Sequence, residues 1–231
     1  MDDLCSTVRK VYLNMFKKRI GITQRVVKHT DYDEIMDCLD TNWTKLLIPL
    51  NILPIPLPLI STTHVESFWK ALNLDGLILS GGNTLANYAD ERDKPENISP
   101  LRDAYEEALL GSALKTNTPI LGICRGLQMI NVFYNGKLKK IKGHSGSRHL
   151  LVQENLLDKF KLPTEVNSFH DCAIPRKYLG KDLVSFAHDT EDNIEAIYHL
   201  KDNVIGIMWH PERNAVPLNS DCNLIKNHFG L

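Results

Sequence analysis

Along the first 135 residues, short apolar runs take turns with longer stretches whose apolar positions recur at helical spacing, the pattern of successive βα units. Residues 20–23 form the first strand candidate. Met36, Leu39, Trp43, Leu46, Leu47 and Leu50 follow at helical spacing with one apolar face, which predicts a helix over 36–50. Ile52–Leu57 reads as a second extended segment, Val65, Phe68, Trp69 and Leu72 as another helical face, and Gly76–Leu79 as a third strand. Beyond a polar loop at 83–97, Ser99 and Pro100 suit an N-cap and a first helical position, where a hydroxyl acceptor and a missing N–H fit best. Leu101, Ala104, Tyr105, Ala108, Leu109 and Ser112 then share one face. Pro119 restarts the chain into Ile120–Ile123, an apolar run of the kind a central parallel strand needs. A helix from Arg125 to about Tyr134 stops at Asn135-Gly136.

The second half has a different rhythm. Residues 150–153, 165–168, 184–187, 194–198 and 204–208 are strand-like and closely spaced, which predicts antiparallel additions to a mostly parallel sheet. No repeat, low-complexity tract or linker divides the chain. The expectation is one α/β domain over residues 19–231, preceded by an N-terminal extension, residues 1–18, to which no function is assigned.

Composition narrows the function classes. Hydrophobic residues make up 43% and charged residues 24% of the 231, an ordinary globular balance that excludes wholesale disorder and fibrous repeats. With 27 Lys+Arg against 28 Asp+Glu, the net charge of −1 argues against nucleic acid or an anionic membrane as the main partner. The apolar stretch 46–60 is broken by Pro49, Pro54, Pro56 and Pro58, so no transmembrane helix is expected. Five scattered cysteines without a C-x-x-C pair make a disulfide framework or zinc ribbon improbable, and the first 18 residues lack a secretory h-region. A reducing cytoplasmic location is the expectation.

Three short segments carry candidate chemistry. Gly122-Ile123-Cys124-Arg125-Gly126 sets a nucleophile between two glycines at a strand-to-helix junction, the cysteine counterpart of the G-x-S-x-G elbow, where the helix N-terminus favours a thiolate. Taken alone, Cys124 fits a small buried hydrophobe about equally well. His210-Pro211-Glu212 follows the last strand and offers a base with a carboxylate two residues on, on the same side of an extended chain. By itself it reads as a surface turn. Ser80-Gly81-Gly82-Asn83 lies at the carboxyl end of a parallel strand, where ligand crevices form, and its backbone N–H groups suit an oxyanion; alone it is an ordinary glycine turn.

In this order and spacing, GLILSGG at 76–82, GICRGLQ at 122–128 and WHPE at 209–212 resemble the class I glutamine amidotransferase-like superfamily. Within it the chain is most similar to the free-standing γ-glutamyl hydrolase branch (peptidase C26-like). Leu101-Arg102-Asp103, Val166-Asn167-Ser168-Phe169-His170 and Ile194-Glu195-Ala196 support the likeness, which spans residues 19–213. The resemblance implies a flavodoxin-like three-layer sandwich and a Cys-His-Glu triad in which Cys124 is the nucleophile, His210 the acid/base and Glu212 its orienter. It further implies backbone oxyanion donors at Gly82 and Arg125, and glutamyl contacts from Gln128, Ser168 and His170. Asp171 and Cys172 depart from the residues relatives often carry, which bears on leaving-group specificity. A narrower likeness, in Asp37-Cys38-Leu39-Asp40 with Trp43, residues 79–85 and residues 206–213, is to the γ-glutamyl-CDP-amidate hydrolase group, which releases glutamate from a nucleotide phosphoramidate used in capsule decoration.

The implied activity is cysteine-dependent hydrolysis of a γ-glutamyl amide through a thioester, on a small-molecule substrate, with no metal or organic cofactor required. Alternatives are a γ-glutamyl-γ-aminobutyrate or other γ-glutamyl amine hydrolase, a glutaminase component that delivers ammonia to a synthetase partner, and a non-catalytic binding module. The synthetase reading ranks below the free-standing one, and a homo-oligomer is left open. His144, His149, His188 and His199 show no metal-ligand spacing and are read as surface or structural groups. Arg25, Arg92, Lys94 and Arg213 are candidates for a basic nucleotide pocket.

Overall fold

In the computed structural model, which describes residues 16–29, 31–154 and 161–231, the βα alternation becomes an eight-stranded sheet flanked by helices. Residues 1–15 of the expected extension lie outside the described residues. In chain order the elements are β1 (Lys18–Thr23), β2 (Arg25–Lys28), β3 (Ile35–Cys38), α1 (Asn42–Leu47), β4 (Ile52–Leu57), α2 (Val65–Leu72) and β5 (Gly76–Leu79). Then come α3 (Pro100–Lys115), β6 (Ile120–Ile123), α4 (Arg125–Phe133), β7 (Lys139–Lys140), β8 (Ser145–Leu150), β9 (Val152–Gln153), β10 (Glu165–Phe169) and β11 (Cys172–Ala173). The chain closes with β12 (Leu183–His188), β13 (Ile194–His199), β14 (Val204–Ile207) and α5 (Asn219–Phe229).

The sheet order is β4-β1-β5-β6-β14-β13-β12-β9. Every pairing from β4 to β14 is parallel, and β13, β12 and β9 extend that sheet antiparallel, as the shift in rhythm predicts. Strand alternation decides what each face packs against. Ile20, Ile22 and Ile78 share a buried cluster with Trp43, Leu46 and Leu47 of α1 and with Leu224, Ile225 and Phe229 of α5. Leu77 and Leu79 point the other way, into a cluster with Tyr105, Leu109 and Leu110 of α3 and Leu127 and Ile130 of α4. The result is the three-layer, flavodoxin-like sandwich. Among the described residues, no helix is long and apolar enough to cross a membrane.

The structure corrects three expectations. The predicted helix over 36–50 is instead strand β3 followed by the shorter α1 and a 3-10 turn at Ile48–Leu50. Asp40 Oδ1 accepts the Asn42 N–H at 2.9 Å, a local turn that competes with helix before α1, and β3 pairs with β2 from Arg25↔Cys38 to Lys28↔Ile35. Strand β10 does not join the sheet: it pairs with β8 as a separate antiparallel ribbon, and a register irregularity falls between Ser168 and Phe169. Helix α5, absent from the sequence-based elements, covers the α1 face of the sheet.

Candidate active site

Cys124 sits between β6 and α4 with φ 52° and ψ −104°, a conformation that costs a non-glycine residue on the order of 1–3 kcal/mol. The neighbouring glycines make it attainable. A Cβ on Gly126 would lie 2.1 Å from the Leu79 carbonyl oxygen, and one on Gly122 would lie 2.7 Å from the Gly126 backbone, so strand and helix meet only because neither has a side chain. The turn is pinned by the Cys124 N–H, which donates to the Ile207 carbonyl of β14 at 2.8 Å. The thiol is buried, at the N-terminus of α4.

β14 places His210 beside the thiol. The His210 Nδ1–H donates to Glu212 Oε1 at 2.7 Å, and His210 and Cys124 line one cavity. Burial disfavours the imidazolium, but attraction to Cys124 and to Glu212 outweighs that, holding the His210 pKa up at about 9. The histidine's backbone is clamped as well: Asn167 Oδ1 accepts its N–H at 2.9 Å, and Asn167 Nδ2 donates to its carbonyl at 2.8 Å. Sequence reasoning assigns no role to Asn167, which here is a positioning residue.

The glycine strap after β5 is shaped by Arg102, a buried side chain of α3 to which the sequence gives no role either. Its guanidinium donates to the carbonyls of Ser80 at 2.8 Å, Gly81 at 3.2 Å and Gly82 at 2.6 Å. In a trans peptide the N–H points opposite to the C=O, so a Gly81 carbonyl held by Arg102 turns the Gly82 N–H away from the guanidinium. The Arg125 N–H is in the first turn of α4, where no intrahelical acceptor exists. Gly82 and Arg125 line one cavity with Cys124.

Arg102 belongs to a buried ion network. It donates to Glu106 Oε1 at 2.9 Å, and the Arg125 guanidinium binds Glu106 Oε2 and Asp103 Oδ1. Burial pushes the Glu106 carboxyl up, but the two guanidiniums overcome this and hold it below its ordinary value.

Two cavities meet at His210. One of about 340 Å³ contains Cys124, Gly82, Arg125, Gln128, His170 and Asn97 in its lining. The other, about 240 Å³, contains Arg25, Asp40, Trp43, Gly81 and Glu212. Gly82, His210 and Arg213 border both. The Gln128 amide donates to the Cys172 carbonyl at 3.0 Å. Ser168 is not among the lining residues, and its hydroxyl donates to the His144 carbonyl at 2.6 Å. Of the basic candidates, Arg25 and Arg213 converge on the smaller cavity, with Arg213 over the Phe169 ring at 4.5 Å, whereas Arg92 pairs with Asp90 and neither Arg92 nor Lys94 lines either cavity. Cys172 is buried and its thiol pushed up to about 12 by that burial, so it offers no second nucleophile.

Beside the larger cavity, histidines read from sequence as surface or structural groups come together. His144, His149 and His170 cluster, and His149 and His170 face Glu195, which burial holds well above the ordinary carboxyl range, with Asp189 and Cys124 adding repulsion. Burial, then His144, pushes His170 down to about 4. No spacing rule finds this set, because its members stand in or next to three different strands.

The peptidase C26 family profile matches residues 19–212. A γ-glutamyl-CDP-amidate hydrolase of Campylobacter jejuni is 38% identical over 215 residues, covering 92% of this chain and 98% of the relative. Protein NtpR of Enterococcus hirae is 31% identical, covering 69% of this chain and 75% of that protein. Among solved structures, a glutamine amidotransferase from Thermotoga maritima superposes with a TM-score of 0.59 at 17% identity, covering 92% of this chain and 84% of its own, which bears on the fold alone.

Proposed function

The chain belongs to the peptidase C26 family, and on that premise we propose that it hydrolyses a γ-glutamyl amide bond, releasing glutamate, with γ-glutamyl-CDP-amidate as its substrate in capsule phosphoramidate synthesis. The observation that carries this reading is the Cys124, His210 and Glu212 arrangement at the meeting point of two cavities.

The Cys124 thiolate attacks the γ-carbonyl carbon, and the carbonyl electron pair moves onto oxygen, facing the Gly82 and Arg125 N–H groups. Collapse breaks the C–N bond as His210, protonated at the nucleophile stage by its pairing with the thiolate, gives its proton to the departing nitrogen. A γ-glutamyl thioester remains on Cys124. The neutral His210 then takes a proton from water, whose oxygen adds to the thioester carbonyl, and the thiolate leaves with glutamate released. Glu212 holds the ring in one tautomer throughout.

Three features support the nucleotide half. The segments of the narrower likeness, at 37–40, 43, 79–85 and 206–213, all contribute residues to the smaller cavity. Two arginines there suit a pyrophosphate. The Campylobacter jejuni relative bears that name over nearly its whole length. Glutamate release from γ-glutamyl-CDP-amidate, γ-glutamyl-γ-aminobutyrate, glutamine and folate-type polyglutamate tests the reading. Preference for the nucleotide compound, lost in Cys124→Ala, is expected. Preference for γ-glutamyl-γ-aminobutyrate moves the enzyme to amine hydrolysis, and glutamine turnover that needs a partner moves it to ammonia delivery.

A further inference from the structure

Glu195 is 1% exposed on β13, and neither of its oxygens has a hydrogen-bond partner. A bare buried carboxylate is expensive and calls for a counter-charge or a proton. His149 Nε2 stands 3.6 Å from Glu195 Oε2, and His170 Nε2 stands 3.6 Å from Oε1. These are too long for hydrogen bonds, and both Nε2 atoms are buried without partners. They are close to the edge of a tetrahedron, about 3.4 Å, drawn around a metal bound at about 2.0–2.1 Å.

The outer contacts orient the rings. His170 Nδ1 lies 3.0 Å from the Cys172 carbonyl and His149 Nδ1 3.3 Å from the Leu150 carbonyl, so each Nδ1 carries the proton and each Nε2 lone pair turns toward Glu195. His144 is turned the other way round. Its Nε2 faces Asp189 Oδ2 at 3.9 Å, and its Nδ1 is buried and without a partner. Asp189 is itself fixed, accepting the N–H groups of Glu191 at 2.8 Å and Asn193 at 2.9 Å. Carbonyl and carboxylate partners behind the rings are the usual support of metal-bound histidine. One ligand atom from each of the three histidines lies within 4.8 Å of the others.

We propose that His144, His149, His170 and Glu195 form a metal site, and that its ion is zinc. Three imidazoles and one carboxylate make a closed, four-protein-ligand tetrahedral set, the arrangement of structural zinc; calcium and magnesium require six or more oxygens. The ion neutralises Glu195 and ties the β8/β10 ribbon, which has no place in the central sheet, to β13, which does.

The test uses the full chain, stripped with chelator, dialysed and titrated with Co²⁺ and then Zn²⁺. One equivalent of cobalt with the intense visible bands of tetrahedral coordination, displaced by one equivalent of zinc, is expected, as is a zinc-dependent rise in Tm. Both persist in Cys124→Ala, because the thiol is not a ligand, and both vanish in His149→Gln. Asp189→Asn, behind His144, weakens zinc by roughly 10–100-fold. Sub-stoichiometric or octahedral cobalt in the unaltered chain overturns the proposal even if a variant fails to fold. So does binding that survives His149→Gln but is lost in Cys124→Ala, which assigns the metal to the nucleophile.

Discussion

Two buried charged clusters flank Cys124, and they resolve the same difficulty differently. On the α3 side, Glu106 is fully buried, yet each of its oxygens meets a guanidinium, from Arg102 and from Arg125. On the β13 side, Glu195 is as deeply buried, faces two neutral-capable imidazoles, from His149 and His170, and meets no donor. The first cluster is complete within the chain and shapes the glycine strap. The second needs something from solution, a proton or a cation. A buried carboxylate therefore says little by itself; what distinguishes a structural network from a ligand site is whether the chain supplies the matching charge.

The largest effect is expected where the two clusters meet. Cys124→Ala lowers turnover on the order of 10⁶-fold in a glutamate-release assay, and activity retained within tenfold would remove the nucleophile assignment. Next comes a matched pair of substitutions. Glu106→Gln leaves two guanidiniums without full compensation and costs about 3–5 kcal/mol by denaturant unfolding. Glu195→Gln in chelated protein costs nothing or stabilises, and abolishes the zinc-dependent rise in Tm. Equal losses in the two variants would erase the contrast.

The pH dependence sharpens the same contrast at His210, whose pKa stands at about 9 against 6.5 for an unperturbed ring. Because the folded value is raised, the protonated ring stabilises the fold fully below about pH 6.5, and that contribution is lost as pH climbs through about 9. kcat/KM is expected to fall on its alkaline side near 9. In Cys124→Ala the thiolate that raises the pKa is gone, so the His210 titration followed by NMR moves to lower pH; an unmoved titration would break the pairing. The smallest effect belongs to the cap of α3, the helix that carries Arg102, Asp103 and Glu106. Ser99 Oγ accepts the Arg102 N–H at 3.3 Å, and Ser99→Ala is expected to cost about 1 kcal/mol in thermal or denaturant unfolding.

The βα half of the fold is legible because its central strands β5 and β6 are buried at every position, whereas its helices bury one face, so the two periods separate cleanly. The hairpin of β2 and β3 is not, because Met36 and Leu39 happen to continue the helical spacing of α1, and Ile35 is 54% exposed. The elbow, the strap and the His-Pro-Glu turn are readable as contiguous motifs, and the structure brings all three to one place. What surrounds them is long-range. Arg102 reaches back about 20 residues to the strap and Asn167 reaches 43 forward to His210. His144, His149 and His170 are gathered by a ribbon whose pairing the sequence does not announce. Ser168 shows the limit at its smallest scale: alternation along β10 does not say that its hydroxyl turns to the His144 carbonyl.

The shared border of the two cavities has an evolutionary consequence. Gly82, His210 and Arg213 line both, whereas Cys124 and Gln128 belong to one and Arg25, Asp40 and Trp43 to the other. Under the proposed function one is an acylating half and the other a leaving-group half, and two compartments partitioned in this way can drift separately. Changes in β2 and in the segment joining β3 to α1 would exchange one departing group for another while the thioester chemistry stayed untouched, so new specificities can arise from this scaffold by altering one compartment at a time.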